Sequence, residues 1–373
     1  MLKQTIKRQI QQYIDPYYLA FLKKYVNMAE INFNAALGRH FILNPRFRLN
    51  IETAGVCNLS CRFCAYSQKK MAKVVMPMGM FQDVVNQVVD LGFSHISLTP
   101  LTGEVFMDKN FMEKMQYLDN HPKIVEYYFS TNFVIPSKPQ LEELVKLRKL
   151  KIVHVSLYGH DEKSFCDLTQ HSGKQYHRLV SNLKFFSELY HKKSMFKLIM
   201  SWRTTPSFSV NQTPNSELQE IALIFSNKHQ IEIDSTPLYD NWGGAITNED
   251  VKDIGLKVKD GPLVYKKGPC TLIFDRIAIL ADGRVNACAC RDVNGSLVIG
   301  DIKENSLSDI LSIENPLYRD VIQEQVEGKF RHACKECSIY RSIYTPIPIP
   351  FTQYYNLAQV KKLLSRESHD MVD

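Results

Sequence analysis

The sequence predicts an α/β protein built on a mainly parallel sheet, and three observations carry that prediction. From Phe47 onward, short apolar runs of strand length alternate with longer amphipathic segments, the order that lays strands side by side with helices across them. Three cysteines, Cys57, Cys61 and Cys64, occupy the loop directly after the first of those runs. Past Gly243 and Gly244 the alternation stops, and a second group of cysteines follows in a smaller, irregular region.

Composition bounds the answer. The 373 residues suffice for one large domain or two of ordinary size with a substantial core. A hydrophobic content of 45% and a charged content of 23% are those of a globular chain rather than a disordered one. The 46 basic and 39 acidic residues leave a net charge of +7, which suits an anionic substrate. The charges are scattered rather than blocked, so an ordinary basic surface is favoured and no nucleic-acid partner is expected. No apolar run reaches the roughly 18 residues of a membrane span, and the N-terminus lacks a signal-peptide core. The nine cysteines are therefore expected in the reducing cytoplasm, where clustered thiols bind metal rather than pair.

Residues 1–45 read as two helices. Leu2, Ile6, Ile10 and Ile14 recur every four residues beside Lys3, Lys7 and Arg8. That basic stripe either packs on the domain, the favoured reading, or lies on a membrane surface. Asp15 before Pro16 is an N-cap signal for the second helix, and Gly38 is its expected stop. Strands are expected at 47–53, 95–99, 124–130, 152–157, 196–202 and 231–236. Helices at 80–91, 111–120, 140–147, 176–190 and 215–227 separate them. Residues 241–269 read as a connection or lid. After Cys270 come a strand-like run at 272–280, the turn Asp282-Gly283, and a return strand at 285–289 carrying Cys288. The hairpin brings Cys270 towards Cys288, and Cys334 with Cys337 supplies two more thiols; residues 341–373 form a tail.

The cysteines point to inorganic chemistry. Soft thiolates select zinc, copper(I) or iron–sulfur clusters. A cubane needs four ligands, so the local trio Cys57, Cys61 and Cys64 leaves one iron free, whereas structural zinc normally has all four ligands present. Four thiolates, Cys270, Cys288, Cys334 and Cys337, close a cubane completely, and such a cluster moves electrons or anchors substrate. Tetrahedral zinc is the alternative there. Cys290 is spare, either replacing Cys288 as ligand or donating hydrogen to a substrate radical, and Cys166 reads as a small buried apolar residue. Ligands of parallel α/β folds sit at the carboxyl ends of the strands. There Gly103 permits close backbone approach, Glu104 offers a carboxylate, and Arg203 offers a fixed fork of donors for a carboxylate or phosphate of ligand or substrate. Tyr239, Asp240, Asn241 and Trp242 follow the sixth strand and are candidates to line a pocket.

The triplet spacing, with Phe63 before its last cysteine, resembles the radical S-adenosylmethionine (radical SAM) superfamily. The resemblance implies a partial (β/α)6 TIM-like barrel over residues 46–240, preceded by a helical extension at 1–45. It implies that the amino and carboxylate groups of SAM chelate the open iron of a [4Fe-4S] cluster. Reductive cleavage then gives methionine and a 5′-deoxyadenosyl radical that abstracts a substrate hydrogen. Thr102, Gly103, Glu104 and Val105 resemble the family's Gly-Gly-Glu-Pro segment, which holds the SAM amino group; Thr102 stands for the first glycine and Val105 for the proline. Ser130, Asn132 and Ser156 match positions that bind the ribose and the methionine carboxylate, and Phe63 offers its backbone to adenine. The C-terminal array at 270–340 resembles the auxiliary twitch subdomain, a β-hairpin and helices around one further [4Fe-4S] cluster. The longer SPASM version would need more cysteines. A flavodoxin- or ferredoxin-type electron donor is implied.

Dehydrogenation or epimerisation of a small carbohydrate- or aminocyclitol-like substrate is the reaction expected, with Cys290 as hydrogen donor in the second case. Maturation of a ribosomally made peptide is the second reading. Such enzymes commonly carry a folded N-terminal recognition domain, for which residues 1–45 leave little room. A non-enzymatic zinc scaffold is the third.

Overall fold

The computed structural model describes residues 15–99, 101–194, 196–204, 216–228, 232–235, 238–348 and 353–365. The expected basic stripe from Leu2 to Ile14 lies outside them. Helix α1 (Pro16–Ala36) begins as its sequence demands: the Asp15 side chain accepts the Tyr17 backbone N–H at 2.7 Å, and Pro16 takes the first turn. It ends at Leu37, followed by Gly38 at φ +63°.

Strands and helices then alternate. In order they are β1 (Arg48–Ile51), α2 (Met78–Asp90), β2 (His95–Ser97), α3 (Phe111–Asn120), β3 (Glu126–Thr131), α4 (Lys138–Leu144) and β4 (Leu150–Tyr158). Next come α5 (Glu162–Thr169), α6 (Gly173–Lys193), β5 (Lys197–Arg203), α7 (Glu217–Lys228) and β6 (Glu232–Ser235). The six strands pair in parallel in sequence order. A short parallel pair joins β7 (Tyr239–Asp240), just before the stretch read as a connection, with β8 (Val258–Lys259) inside it.

The C-terminal region extends the same sheet. Strand β9 (Ala278–Ile279) pairs in parallel with β1, and β10 (Arg284–Asn286) and β11 (Val298–Asp301) follow antiparallel. The sheet runs from β11 to β6 without closing, nine strands in all. The expected strand at 272–280 is corrected. Residues Leu272–Asp275 form a helical turn in which the Thr271 carbonyl accepts the Phe274 and Asp275 N–H groups at 3.1 and 3.3 Å. This apolar run is buried throughout, and a buried run has no periodicity with which to distinguish a strand from a turn of helix. Helix α5 and strand β11 lie outside the expected elements altogether.

One face of the strands is packed under helices and the other is half-open. Along β3, β4 and β5 the residues Tyr127, Phe129, Val153, Val155, Leu157, Leu198, Met200 and Trp202 are buried, while Ser130, His154, Ser156, Tyr158, Ser201 and Arg203 between them are half-buried. Ser130 stands opposite His154, Ser156 opposite Ser201, and Tyr158 opposite Arg203. The period of two therefore places Ser130, Ser156 and Arg203 together on the open, concave side.

Candidate active site

The loop after β1 carries the three thiols, and its backbone is fixed from several directions. Ser60 and Arg62 donate their N–H groups to the carbonyls of Thr169 and Leu168 at the end of α5, at 3.2 and 3.0 Å. The Cys57 sulfur accepts the Leu59 N–H at 3.5 Å. Burial pushes the Cys57 thiol up to about 12 and raises Cys61 and Cys64 as well; Cys57 and Cys64 further raise Cys61, which Arg203 opposes. The three sulfurs are thus electrostatic neighbours in a dry site. A metal bound there would displace their protons.

Glu104 faces the same loop and is 1% exposed. Its carboxylate accepts from the Thr131 hydroxyl at 2.6 Å, the Asn132 N–H at 2.7 Å and the Phe106 N–H at 3.3 Å. Burial nevertheless pushes it up to about 7. Gly103 explains how the carboxylate comes so close. A Cβ there would lie 2.2 Å from the Ala54 carbonyl oxygen, and the adjoining Glu104 N–H bonds Val56 O at 2.8 Å. The strand-like segment at 103–104 therefore lies directly on the residues that lead into Cys57. Below it, Asp108 and Lys114 form a buried ion pair of 2.5 Å that anchors the turn.

Asn132 is shared between the two sides, donating Nδ2 to Asn58 Oδ1 at 2.8 Å. Ser130 meets Thr99 across the strand ends at 3.2 Å, and Arg203 donates Nη1 to the Ser156 hydroxyl at 3.2 Å. The residues singled out in the sequence thus converge on one mouth. Thr102 is buried, and Thr53 Oγ1, Asn58 Nδ2 and Thr102 Oγ1 are enclosed without a hydrogen-bond partner. Such groups around three sulfurs fit a polar ligand bound against a cluster.

Phe63 packs between Tyr158 and Tyr239, both ring centroids 5.2 Å away. Its carbonyl accepts the Trp242 indole N–H at 2.9 Å. A carbonyl oxygen has two lone pairs, so one stays open to a further donor. Trp242 itself sits at φ +52°, and the Arg291 guanidinium lies 4.5 Å over its ring. Arg291 also pairs with Asp240 and donates to the Cys290 carbonyl, so one aromatic–cation stack links the first cysteine loop to the second.

Cys270, Cys288, Cys334 and Cys337 line a common small pocket with Leu272, Ile273, Leu297 and Tyr340. Cys290 is not among its lining residues; the neighbouring Cys288 thiol, with Arg291 and Arg276 nearby, draws the Cys290 thiol down to about 7. Backbone N–H groups of Ile339 and Arg341 point at the Cys337 and Cys270 sulfurs, both at 3.4 Å. Gln325, which sequence reasoning missed, is 2% exposed. It accepts the Cys270 N–H at 2.8 Å and donates to the Cys334 sulfur at 3.5 Å. A buried glutamine near the end of an apolar helix face was the available signal. Among the described residues no three His, Cys, Asp or Glu side chains converge tightly enough for a single metal ion.

Comparison with known families now bears on this geometry. The radical SAM superfamily model matches residues 51–200, and a model described as an iron–sulfur cluster-binding domain (SPASM) matches residues 270–338. Residues 51–200 are a radical SAM superfamily domain. The protein is an enzyme that uses SAM and a [4Fe-4S] cluster, with an auxiliary iron–sulfur domain at its C-terminal side. The fold agrees with solved radical SAM structures. BtrN in complex with AdoMet and 2-DOIA superposes with a TM-score of 0.50 at 16% identity, covering 82% of this chain and 98% of that one. Streptococcus suis SuiB bound to the precursor peptide SuiA superposes at 0.52 and 18% identity, covering 86% and 75%. No curated protein matches the chain in sequence.

Proposed function

We propose that this radical SAM enzyme abstracts hydrogen from a small carbohydrate- or aminocyclitol-like substrate, in a dehydrogenation or an epimerisation. The assigned ligands are Cys57, Cys61 and Cys64 for the SAM-binding cluster, and Cys270, Cys288, Cys334 and Cys337 for one auxiliary [4Fe-4S] cluster. When bound, the first cluster supplies the electron that cleaves SAM. The chain's residues do the positioning. Glu104, held by Thr131 and Asn132, receives the SAM amino group. Arg203, with Ser156, receives its carboxylate, and Ser130 and Asn132 face the ribose. Phe63, braced by Tyr158, Tyr239 and Trp242, forms the wall beside adenine. Cys290, outside the four-thiol cavity, is left as hydrogen donor. In this scheme residues 46–240 form the catalytic barrel, 241–269 the connection and 270–340 the auxiliary subdomain. A flavodoxin- or ferredoxin-type protein supplies electrons in the cytoplasm.

The observation that favours a polar small molecule is the open cavity of about 570 Å³ beside the cysteine loop. Its walls include Arg62, His160, Asp161, Lys163, Ser164 and Asp253, and only Leu168 and Ile254 are aliphatic. Hydroxyl-rich ligands suit such a lining. BtrN, solved with the small molecule 2-DOIA, spans nearly its whole length on this fold. A peptide substrate is the second reading, favoured by the fold shared with peptide-bound SuiB. The test is to incubate the reduced protein with SAM and separate panels of sugars, aminocyclitols and peptides. Substrate-dependent 5′-deoxyadenosine with loss of two hydrogens, or solvent deuterium uptake, in the sugar or aminocyclitol panel supports the proposal. Turnover of peptides alone overturns it.

A further inference from the structure

Residues 240–244 form a strained turn between the two cysteine-bearing regions, outside both stretches that match family models. Trp242, Gly243 and Gly244 stand at φ +52°, +64° and +89°, all in the left-handed region. Glycine takes that conformation freely, but a bulky tryptophan holds it only where its surroundings force it. The forcing contacts come from the auxiliary side. Asn241 donates Nδ2 to the Glu336 carbonyl at 2.6 Å, and the Ser338 hydroxyl donates at 3.2 Å to Asp240 Oδ1, which also accepts the Trp242 N–H at 2.7 Å. Arg291 pairs with the other Asp240 oxygen and covers the indole ring. A Cβ at Gly243 would lie 3.0 Å from the Arg291 carbonyl oxygen, and one at Gly244 2.8 Å from the Glu336 Cβ, so the turn is seated directly on these residues. Glu336 and Ser338 flank Cys337, and Arg291 follows Cys290.

What the turn delivers lies on the other side. The Trp242 indole N–H meets the Phe63 carbonyl at 2.9 Å, in the loop of Cys61 and Cys64. One hydrogen bond therefore spans the two cysteine-bearing regions, and its donor is held by contacts that flank Cys337. If the Cys334–Cys337 segment relaxes, the contacts at Glu336 and Ser338 loosen, Trp242 escapes its strained conformation, and the Phe63 carbonyl loses its donor. We propose that the Trp242 turn couples the two centres: an assembled auxiliary cluster holds Trp242 on Phe63 and tightens SAM binding, and bound SAM in return stiffens residues 332–338. This coupling rests on the placement of SAM beside Phe63 proposed above.

The test uses the full chain, anaerobic and loaded with both clusters, without reductant so that SAM stays intact, and it reads binding rather than turnover. Trp242→Phe keeps an aromatic ring but removes the donor, and should weaken SAM binding about fivefold, the size of one hydrogen bond. Cys334→Ser/Cys337→Ser, which loses the auxiliary cluster, should weaken it by a similar factor. Because both act through one contact, the combined variant should bind within about twofold of either alone. Hydrogen exchange gives the reciprocal reading. In the unaltered chain SAM should slow exchange at residues 57–64 and at 332–338, and Trp242→Phe should lose the second protection while keeping the first. Unweakened binding by Trp242→Phe, fully multiplicative losses in the combined variant, or protection confined to 57–64 would each overturn the coupling alone. Absence of protection at 57–64 would instead refute the placement of SAM beside Phe63, and the coupling with it. If a variant does not fold, the exchange experiment on the unaltered chain decides.

Discussion

Replacing Glu104 with glutamine should stabilise the SAM-free protein while weakening SAM binding. The reasoning starts from burial. The carboxyl group is fully enclosed and its pKa rises from 4.5 to about 7, with desolvation outweighing three donated hydrogen bonds. Its proton is therefore held more tightly in the folded than in the unfolded chain. Stability then falls as pH rises from the unfolded value towards the folded one, and the loss is complete above about 7. A rise of that size corresponds to a penalty of about 3 kcal/mol at pH ~8, shrinking to about 1.5 kcal/mol at pH ~5.5. Glutamine avoids the penalty. It can keep its oxygen on the Asn132 N–H and turn its amide towards the Thr131 hydroxyl, at a cost of about 1 kcal/mol for altered hydrogen bonding. The net expectation is a gain of about 2 kcal/mol at pH ~8, roughly 2–4 °C in melting temperature for a chain of this size, and near equality at pH ~5.5. Anaerobic thermal melts of cluster-loaded protein at the two pH values measure this, and titration with SAM should show at least about a 30-fold weaker complex. A Glu104→Gln variant that is less stable at the higher pH, or that binds SAM as tightly as the original, would refute the reasoning.

Three further outcomes follow from the same geometry. Gly103→Ala should cost about 1–3 kcal/mol and displace Glu104, because the new Cβ meets the Ala54 carbonyl oxygen, which is backbone and cannot swing away; denaturation and SAM titration should move together. Lys69→Met should destabilise by about 3–5 kcal/mol, since Lys69 and Glu52 form a buried pair at 3.1 Å whose other carboxylate oxygen accepts the Leu101 N–H. The double variant Glu52→Gln/Lys69→Met should recover most of that in the same denaturation assay. Gln325→Leu should remove the donor to the Cys334 sulfur and make the auxiliary cluster harder to reduce. Redox titration by electron paramagnetic resonance should show a lower midpoint for that cluster alone.

Much of the site was legible because its signals are local. The spacing of Cys57, Cys61 and Cys64, the adjacent Gly103 and Glu104, and the Cys334 and Cys337 pair all lie within single loops, where sequence distance and spatial distance agree. The alternation of β1 through β6 with helices was legible for the same reason. What sequence reasoning missed depends on partners far apart in the chain. Trp242 reaches the Phe63 carbonyl across 179 positions, and Gln325 meets Cys270 across 55. The buried pair Glu52 and Lys69 spans 17 positions, but its meaning emerges only once Leu101 from the next strand end joins it. The extension of the sheet by β9 was hidden by a different cause. A two-residue strand after a helical turn carries no periodic pattern, and its place beside β1 is set by packing.

The central claim is that three clustered thiols leave one iron of a cluster open to SAM, and metal analysis coupled to SAM cleavage tests it most directly. Anaerobically reconstituted protein should contain about eight iron and eight sulfide per chain, as two [4Fe-4S] clusters require. With reductant and SAM it should form 5′-deoxyadenosine, and Cys61→Ala should form none while retaining about half the iron. Zinc without sulfide, or undiminished 5′-deoxyadenosine from Cys61→Ala, would contradict the account.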